Sequence, residues 1–366
     1  MGNLKPPSRF SRVRDVYFSI AFFTVLIIPA FIKIPPPADF NKTPGKFLSD
    51  HPKLNKYWNL IQLTGAYQTY FSEHFMFRDQ SVILHNEILR SVLGSITFHD
   101  VLVGRKGWLF LTDEDNLSYY QCDKPFTPDE LTTLVDRIKG MREFSRENGA
   151  EFLLLIAPNK ESIYPEFLPA GINPSGKTCR MDQALEALQA AGVYTLDLRK
   201  TLKEEKSNNQ LFFKTDTHWN DNGAFLVYQT IFSELMKVFP DLDIWGFTDF
   251  KPVSYLRTGD LSKLIPLFSP ISEVAISLEP IRERNATVLQ GDNSQTILSE
   301  TGIGSNPDAV IFRDSFFMGL LPFFAENFNK AVYRWSFEFD ENLILSEKPD
   351  IVIYELAERY LEILVH

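Results

Sequence analysis

Residues 151–157, Glu-Phe-Leu-Leu-Leu-Ile-Ala, constrain the fold of this chain more than any other stretch. A strand with one wet face alternates polar and apolar side chains. A continuous apolar run has to be buried on both faces, with other structure packed above and below it. The flanking sequence supplies that structure. Thr127-Pro128-Asp129-Glu130 reads as a helix start: a Thr cap, Pro at the first helical position and Glu three residues after the cap. Leu131, Leu134, Ile138, Met141 and Phe144 follow at helical spacing, and Asn148-Gly149 ends the helix. A second helix is expected over about Met181–Ala191, then a strand over Val193–Leu198, then a helix from about Asn222 to Val238. Strands return at 308–313, 331–335 and 350–354, with a helix through Phe328 after the first. Helix alternating with buried strand argues for an α/β fold around a parallel sheet. Residues 240–305 lose this pattern and read as an irregular, partly antiparallel insertion.

The chemistry concentrates in two places. In Asp216-Thr217-His218-Trp219 the acid and the imidazole are two positions apart, so one turn can carry both inward. A carboxylate so placed accepts a hydrogen bond from the imidazole, fixes its tautomer and stabilises the imidazolium. The other histidines (His51, His74, His85, His99, His366) have no Asp at this spacing. The nucleophile for such a pair is Ser315, where the apolar run Ala309-Val310-Ile311-Phe312 breaks at Arg313-Asp314-Ser315 and passes into a helix-like segment. A serine at such a turn sits beside free backbone N–H groups that can hold an oxyanion. His218 is thus read as general base and Asp216 as its orienting carboxylate. Asp-x-His also supplies ligands in metallophosphoesterases, but those need further motifs such as Gly-Asn-His, and none occurs here. No metal and no cofactor is expected.

Together these motifs resemble the alginate O-acetyltransferase family (AlgJ/AlgX type), a permuted relative of the SGNH hydrolases. Val103-Gly104-Arg105-Lys106-Gly107-Trp108-Leu109-Phe110, Ala157-Pro158-Asn159-Lys160, Gly259-Asp260-Leu261 and Lys348-Pro349-Asp350 carry the likeness further, over roughly residues 70–366. The resemblance implies an SGNH hydrolase-like, flavodoxin-like three-layer domain with a circularly permuted, five-stranded parallel sheet, the serine strand following the Asp/His segment. Permutation leaves spatial neighbours unchanged, so Ser315 and His218 are expected to meet at the carboxyl ends of the strands. Arg313 stands where SGNH enzymes have Gly, and Glu355-Leu356 where they have Gly-x-Asn-Asp. With that asparagine absent, the backbone N–H of Ser315 and the side chain of Arg334 are the oxyanion candidates. Lys160, Tyr164, Trp219, Glu355 and Arg359 lie near strand ends where a sugar or acetyl donor could touch them, though each is as readily structural. The activity implied is transfer of acetyl through a serine acyl-enzyme onto hydroxyls of an exported polysaccharide. A multispanning membrane acyltransferase would be the donor partner. A carbohydrate acetylesterase with the same residues and an inactive polysaccharide-binding scaffold are the competing readings.

The N-terminus differs from the rest. Lys5, Arg9, Arg12 and Arg14 precede an uncharged apolar run, Val16–Ile32, near the lower limit for spanning a bilayer. The basic flank predicts a cytoplasmic N-terminus, and no small-x-small cleavage site follows. The expected order is a basic tail (1–15), a transmembrane signal anchor (16–34) and a linker with helical lead-in (35–99), stiffened by Pro35-Pro36-Pro37. The enzymatic domain (100–366) would then face the periplasm from a bacterial inner membrane. Tyr67, Tyr70, Phe71, Phe75 and Phe77 give the lead-in an aromatic stripe. A formal charge of −10 argues against a nucleic-acid partner. Cys122 and Cys179 are the only cysteines; sequence leaves open whether they pair or are two buried thiols.

Overall fold

The structure, a computed structural model, describes residues 16–20, 22–24, 51–52, 60–74, 78–93, 97–98, 100–113, 116–290 and 295–366. The chain divides into two compact units, residues 1–94 with 266–269, and residues 95–265 with 270–366. The first unit carries helices α1 (Leu60–His74) and α2 (Arg78–Leu93). Asn86 Nδ2 of α2 donates to the Pro266 carbonyl at 3.0 Å. Tyr67 and Tyr70 meet the His51 ring edge-on, and the side chains of Phe71, Phe75 and Phe77 lie outside the described residues. Of the expected anchor, residues 16–20 and 22–24 are helical; the rest of it, the basic tail and Pro35–Pro37 lie outside the described residues. Among the described residues no helix is long and apolar enough to cross a membrane.

The second unit opens with a small antiparallel sheet in which Thr97–Phe98 pairs with the hairpin β1 (Val101–Val103) and β2 (Leu109–Leu111). Helix α3 (Pro128–Glu147) starts with the expected capping box: Glu130 N donates to Thr127 Oγ1 at 3.3 Å and Thr127 N to Glu130 Oε2 at 2.7 Å. There follow β3 (Glu151–Ala157), α4 (Arg180–Ala190), α5 (Leu198–Glu205) and α6 (Asp221–Leu235). Next come β4 (Phe250–Arg257), α7 (Asp260–Leu264), β5 (Glu273–Pro280), β6 (Thr287–Gln290) and β7 (Thr296–Glu300). The chain closes with β8 (Ala309–Arg313), α8 (Phe317–Phe324), β9 (Lys330–Trp335), α9 (Glu341–Glu347) and β10 (Ile351–Ala357). The main sheet has the order β3-β10-β8-β9-β7-β6, parallel through β9 and antiparallel beyond it.

Every position of β8 and β10 is buried. One face packs Leu155, Ile311, Ile353 and Tyr333 against an aromatic layer from α6 and α8 that includes Tyr228, Phe232, Phe317 and Phe324. The other face packs Leu154, Ile156, Val310, Phe312 and Val352 against Leu134 and Ile138 of α3, Leu188 of α4 and Ile344 of α9. Helices therefore cover both faces, as the unbroken apolar strands require. Each large side chain so buried contributes about 2 kcal/mol by leaving water.

Three expectations change. The predicted strand Val193–Leu198 is reduced to one bridge, Thr195 to Leu154. Gly192 turns the chain at φ +70, and Asp197 caps α5 from Leu198, so too few residues are left to extend. The parallel part of the sheet thus has four full strands, and the sheet reaches six through β7 and β6. The expected helix through Phe328 ends at Phe324 and tightens to a 3₁₀ turn over Ala325–Asn327. Residues 240–305 are more regular than expected: β4 pairs with β5 over eight residues. Cys122 and Cys179 are joined by a disulfide, Cα atoms 4.5 Å apart. Closing its 57-residue loop is worth about 4 kcal/mol on the chain-entropy model.

Candidate active site

The Asp216–Trp219 loop doubles back on itself. Phe213 N donates to His218 O at 3.2 Å and Asn220 N to Leu211 O at 2.9 Å, and Asn220 then caps α6 through Gly223 N at 3.0 Å. Two glycines make the fold-back possible. A Cβ on Gly223 would lie 2.1 Å from Leu211 O, and one on Gly259 would lie 2.1 Å from Thr215 O. Substituting either residue would push the loop away. Glu273 of β5 clamps the loop from outside, accepting from Lys214 N at 2.8 Å and from Thr215 N and Oγ1 at 2.7 Å each.

Asp216 is 3% exposed and accepts four hydrogen bonds. Its Oδ1 takes His218 Nδ1 at 2.8 Å and His218 N at 3.2 Å; its Oδ2 takes Arg257 Nη2 at 2.7 Å and Asp260 N at 3.2 Å. Burial alone would raise its carboxyl, but His218 and then Arg257 overcome it and hold the group well below the usual carboxylate range. His218 Nε2 lies 2.8 Å from Ser315 Oγ, and its ring packs on Phe316 at 4.9 Å between centroids. With Asp216 holding the proton on Nδ1, the Nε2 lone pair faces the serine hydroxyl. An unbroken relay Asp216–His218–Ser315 therefore crosses from the loop to the end of β8. Proton removal from Ser315 is what that geometry can do.

Most of the remaining sequence candidates are packed around the relay and are bound into the structure. Trp219 is 2% exposed and meets Phe316 edge-on at 5.0 Å, a core residue with no face open to a sugar. Tyr164 is buried, its hydroxyl accepting from Leu211 N at 2.9 Å. Arg334 donates at 2.8 Å to Thr296 Oγ1, its register partner on β7, and not towards the end of β8. Glu355 is wholly buried and accepts from Asp314 N at 2.9 Å. Arg359 is 5% exposed, with its guanidinium 5.3 Å from the centre of the Phe316 ring. Three residues that sequence reasoning passed over as site members, Arg257, Asp260 and Glu273, come from the 240–305 stretch. Only Gly259-Asp260-Leu261 carried a signal, as a quoted motif without a role.

Asp260 adds a third ligand-type group to the Asp216–His218 pair, which no metal-binding motif in the sequence announced. Its carboxylate binds Thr217 N at 2.8 Å and Thr217 Oγ1 at 2.9 Å and comes within 3.7 Å of His218 Nδ1. Asp216, His218 and Asp260 bring ligand-type atoms within 4.8 Å of one another. The donor set suits a divalent cation poorly. Arg257 already supplies a positive charge at Asp216 Oδ2, and His218 Nδ1 faces Asp216 as a donor.

Lys160 follows β3 and is 2% exposed. Its ammonium donates to the carbonyls of Asp216 at 2.6 Å, Phe213 at 3.2 Å and Lys214 at 3.4 Å, fixing the loop from beneath. Burial pushes the group down to about 8, against the attraction of Glu161, Asp260 and Asp216. Losing that proton removes one of three donors, so turnover is expected to fall as pH rises through about 8. Stability moves the opposite way. The unfolded chain keeps the lysine proton to about 10.4, so between about pH 8 and 10 this residue's contribution to stability rises with pH. Turnover and urea midpoints across that range, for wild type and Lys160→Met, check both signs; identical profiles in the two proteins would refute the assignment.

The model of the family described as "SGNH hydrolase-like domain, acetyltransferase AlgX" matches residues 101–307, stopping short of Ser315. The probable alginate O-acetylase AlgJ of Pseudomonas aeruginosa is 26% identical over 249 residues, 64% of this chain and 57% of that protein. The chain thus matches little more than half of that relative's length. Among solved structures, Bacillus cereus PatB1 with a sulfonyl adduct superposes with a TM-score of 0.55 at 17% identity, covering 73% of this chain and 97% of that one. A DHHW family protein from Eubacterium siraeum gives 0.53 at 13% identity, covering 74% and 96%. These two likenesses speak to the fold. With the family model covering more than half of its residues, this chain belongs to the AlgX family of SGNH hydrolase-like acetyltransferase domains.

Proposed function

We propose that this chain is an O-acetyltransferase that passes an acetyl group through Ser315 to hydroxyls of an exported polysaccharide. The observation that carries the reading is the Asp216–His218–Ser315 relay, with 2.8 Å at each of its two links. Ser315 Oγ attacks the donor's acetyl carbonyl while its proton passes to His218 Nε2. The backbone N–H of Ser315, at the turn before α8, stabilises the oxyanion. Collapse of the tetrahedral species breaks the bond to the donor, which leaves with the proton from His218. In the second half a sugar hydroxyl gives its proton to Nε2 and attacks the acyl-serine; collapse breaks the acyl–Oγ bond and His218 returns the proton to Ser315 Oγ. The name of the Pseudomonas aeruginosa relative, a probable alginate O-acetylase, makes an alginate-like polymer the leading acceptor. A carbohydrate acetylesterase would use the same groups with water in the second half.

The same proposal places residues 16–34 in the inner membrane, the N-terminus in the cytoplasm and the 100–366 domain in the periplasm. The donor would be a multispanning acyltransferase in that membrane. The Cys122–Cys179 disulfide supports an oxidising compartment. The test is to replace residues 1–34 with a cleavable export signal. The released protein should still cleave an activated acetyl ester, since the relay's partners given above, Arg257, Asp260 and Phe316, all belong to the second unit. Polymer acetylation in cells should fall by about a hundredfold, because tethering donor and enzyme in one membrane raises their effective concentration. Full acetylation of the polymer by the untethered protein, exported at equal level, would sink the tethered-donor reading; loss of acetyl from finished polymer would favour the esterase.

A further inference from the structure

The turn that carries Ser315 is anchored through two buried carboxyls that the reaction steps above do not use. Asp314 is 1% exposed and Glu355, on the neighbouring strand β10, is 0% exposed. Three backbone N–H groups end on this pair. Phe316 N donates to Asp314 Oδ1 at 2.7 Å, Ala357 N to Asp314 Oδ2 at 2.8 Å, and Asp314 N to Glu355 Oε2 at 2.9 Å. The nucleophile's turn is therefore laced to the end of β10 in both directions.

Glu355 Oε1 is buried and meets no donor, while Oε2 of the same carboxyl holds Asp314 N, so the two carboxyls are neighbours in one dry space. Two charged carboxylates do not share so dry a space; one proton between them turns repulsion into a hydrogen bond. Both Asp314 oxygens already accept N–H groups, so the proton belongs on Glu355 Oε1. The surroundings agree. Strand β3 sets Leu155 opposite Glu355, with nothing to ionise. The nearby cation on β8, Arg313, lies over the Trp335 ring at 4.7 Å and donates to the Asp314 carbonyl at 3.3 Å. Burial first, and then the charge of Asp314, push the Glu355 carboxyl well above the carboxylate range.

We propose that Glu355 is a positioning residue: as a neutral carboxylic acid it donates its proton to the Asp314 carboxylate and so fixes the turn that aims Ser315 at His218. The inference rests on the acyl-transfer reading above. It gives the Glu355-Leu356 pair, which replaces the usual Gly-x-Asn-Asp segment, a task other than holding the oxyanion.

The test compares two substitutions. Glu355→Gln stays neutral, offering its amide oxygen to Asp314 N and its amide N–H to the Asp314 carboxylate. Its kcat on an activated acetyl ester is expected to stay within about fivefold of wild type, the scale of one altered neutral hydrogen bond. Glu355→Ala leaves both Asp314 groups unmatched and is expected to lower kcat about a hundredfold with little change in KM. Labelling of Ser315 by a sulfonyl fluoride should slow in parallel. An infrared difference spectrum between wild type and Glu355→Gln, at neutral pH, is expected to show the loss of one protonated-acid carbonyl band and needs no turnover. A folded Glu355→Gln protein as slow as Glu355→Ala overturns the proposal, and so does the absence of that band. If wild type neither cleaves the ester nor reacts with the sulfonyl fluoride, the acyl-transfer reading fails instead, while the infrared band still decides the state of Glu355.

Discussion

Ser315→Ala and His218→Ala are each expected to lower turnover of an activated acetyl ester by at least about a thousandfold. Without Ser315 Oγ no acyl-enzyme forms; without His218 the hydroxyl, 2.8 Å from Nε2, keeps its proton. Neither change should unfold the protein. Ser315 is half-buried, and its turn is held by backbone bonds to Asp314 and Glu355 that the alanine retains. His218 likewise sits in a loop fixed by Lys160, Glu273 and Asp260. Circular dichroism and thermal melts should therefore match wild type closely while turnover collapses. The double variant should be little worse than either single one, because the two residues act as one unit. Near-normal turnover in folded Ser315→Ala protein would remove the serine from the reaction altogether.

Much of the fold was legible because buried parallel strands are chemically distinctive. The apolar runs expected at 151–157, 308–313 and 350–354 each became a strand of the main sheet, the first at its edge and the other two inside it, and the Thr127–Glu130 signature became a capping box. The Val193–Leu198 strand failed for a local reason. Tyr194 is 59% exposed, and Asp197 was free to cap a helix, a choice that hydrophobic pattern alone does not weigh. Strands β6 and β7 were missed because this end of the sheet is half in water and carries a weaker pattern; Val288 and Leu289 of β6, the edge strand, stand about half exposed.

The site was legible only where chemistry needs residues close in sequence. Asp216 and His218 announce themselves by spacing, and Ser315 by the break after a buried strand. The groups that hold them do not. Arg257 reaches Asp216 across 41 residues, Asp260 reaches Thr217 across 43, and Lys160 reaches the Asp216 carbonyl across 56. Trp219 misled for the opposite reason: adjacency to His218 suggested a sugar contact. A residue next to a site-facing histidine need not share its opening; here Trp219 turns into the core between Phe212 and Phe316.

Asp216→Asn is expected to cost about 10⁴-fold in kcat, the scale found when a histidine is locked in the wrong tautomer. The geometry of this chain decides which tautomer forms. An asparagine must choose which end of its amide faces His218. At the Oδ2 position two fixed donors wait, Arg257 Nη2 at 2.7 Å and Asp260 N at 3.2 Å, against one at Oδ1, His218 N at 3.2 Å, so the amide oxygen belongs at Oδ2. The NH₂ is then left at the Oδ1 position, facing His218 Nδ1. To accept from it, Nδ1 must give up its proton, which moves to Nε2 and presents Ser315 with a donor instead of a base. Arg257 thus enforces the inactive form, and weakening it should partly undo the damage. Adding Arg257→Met to Asp216→Asn removes the stronger of the two donors, and about tenfold recovery is expected, the value of one good hydrogen bond. Arg257→Met alone should slow the enzyme, because it strips the carboxylate of a charged partner. Such a sign reversal in a double-mutant cycle cannot come from loss of packing. If the double variant is slower than Asp216→Asn alone, with both folded, Arg257 does not set the orientation of residue 216.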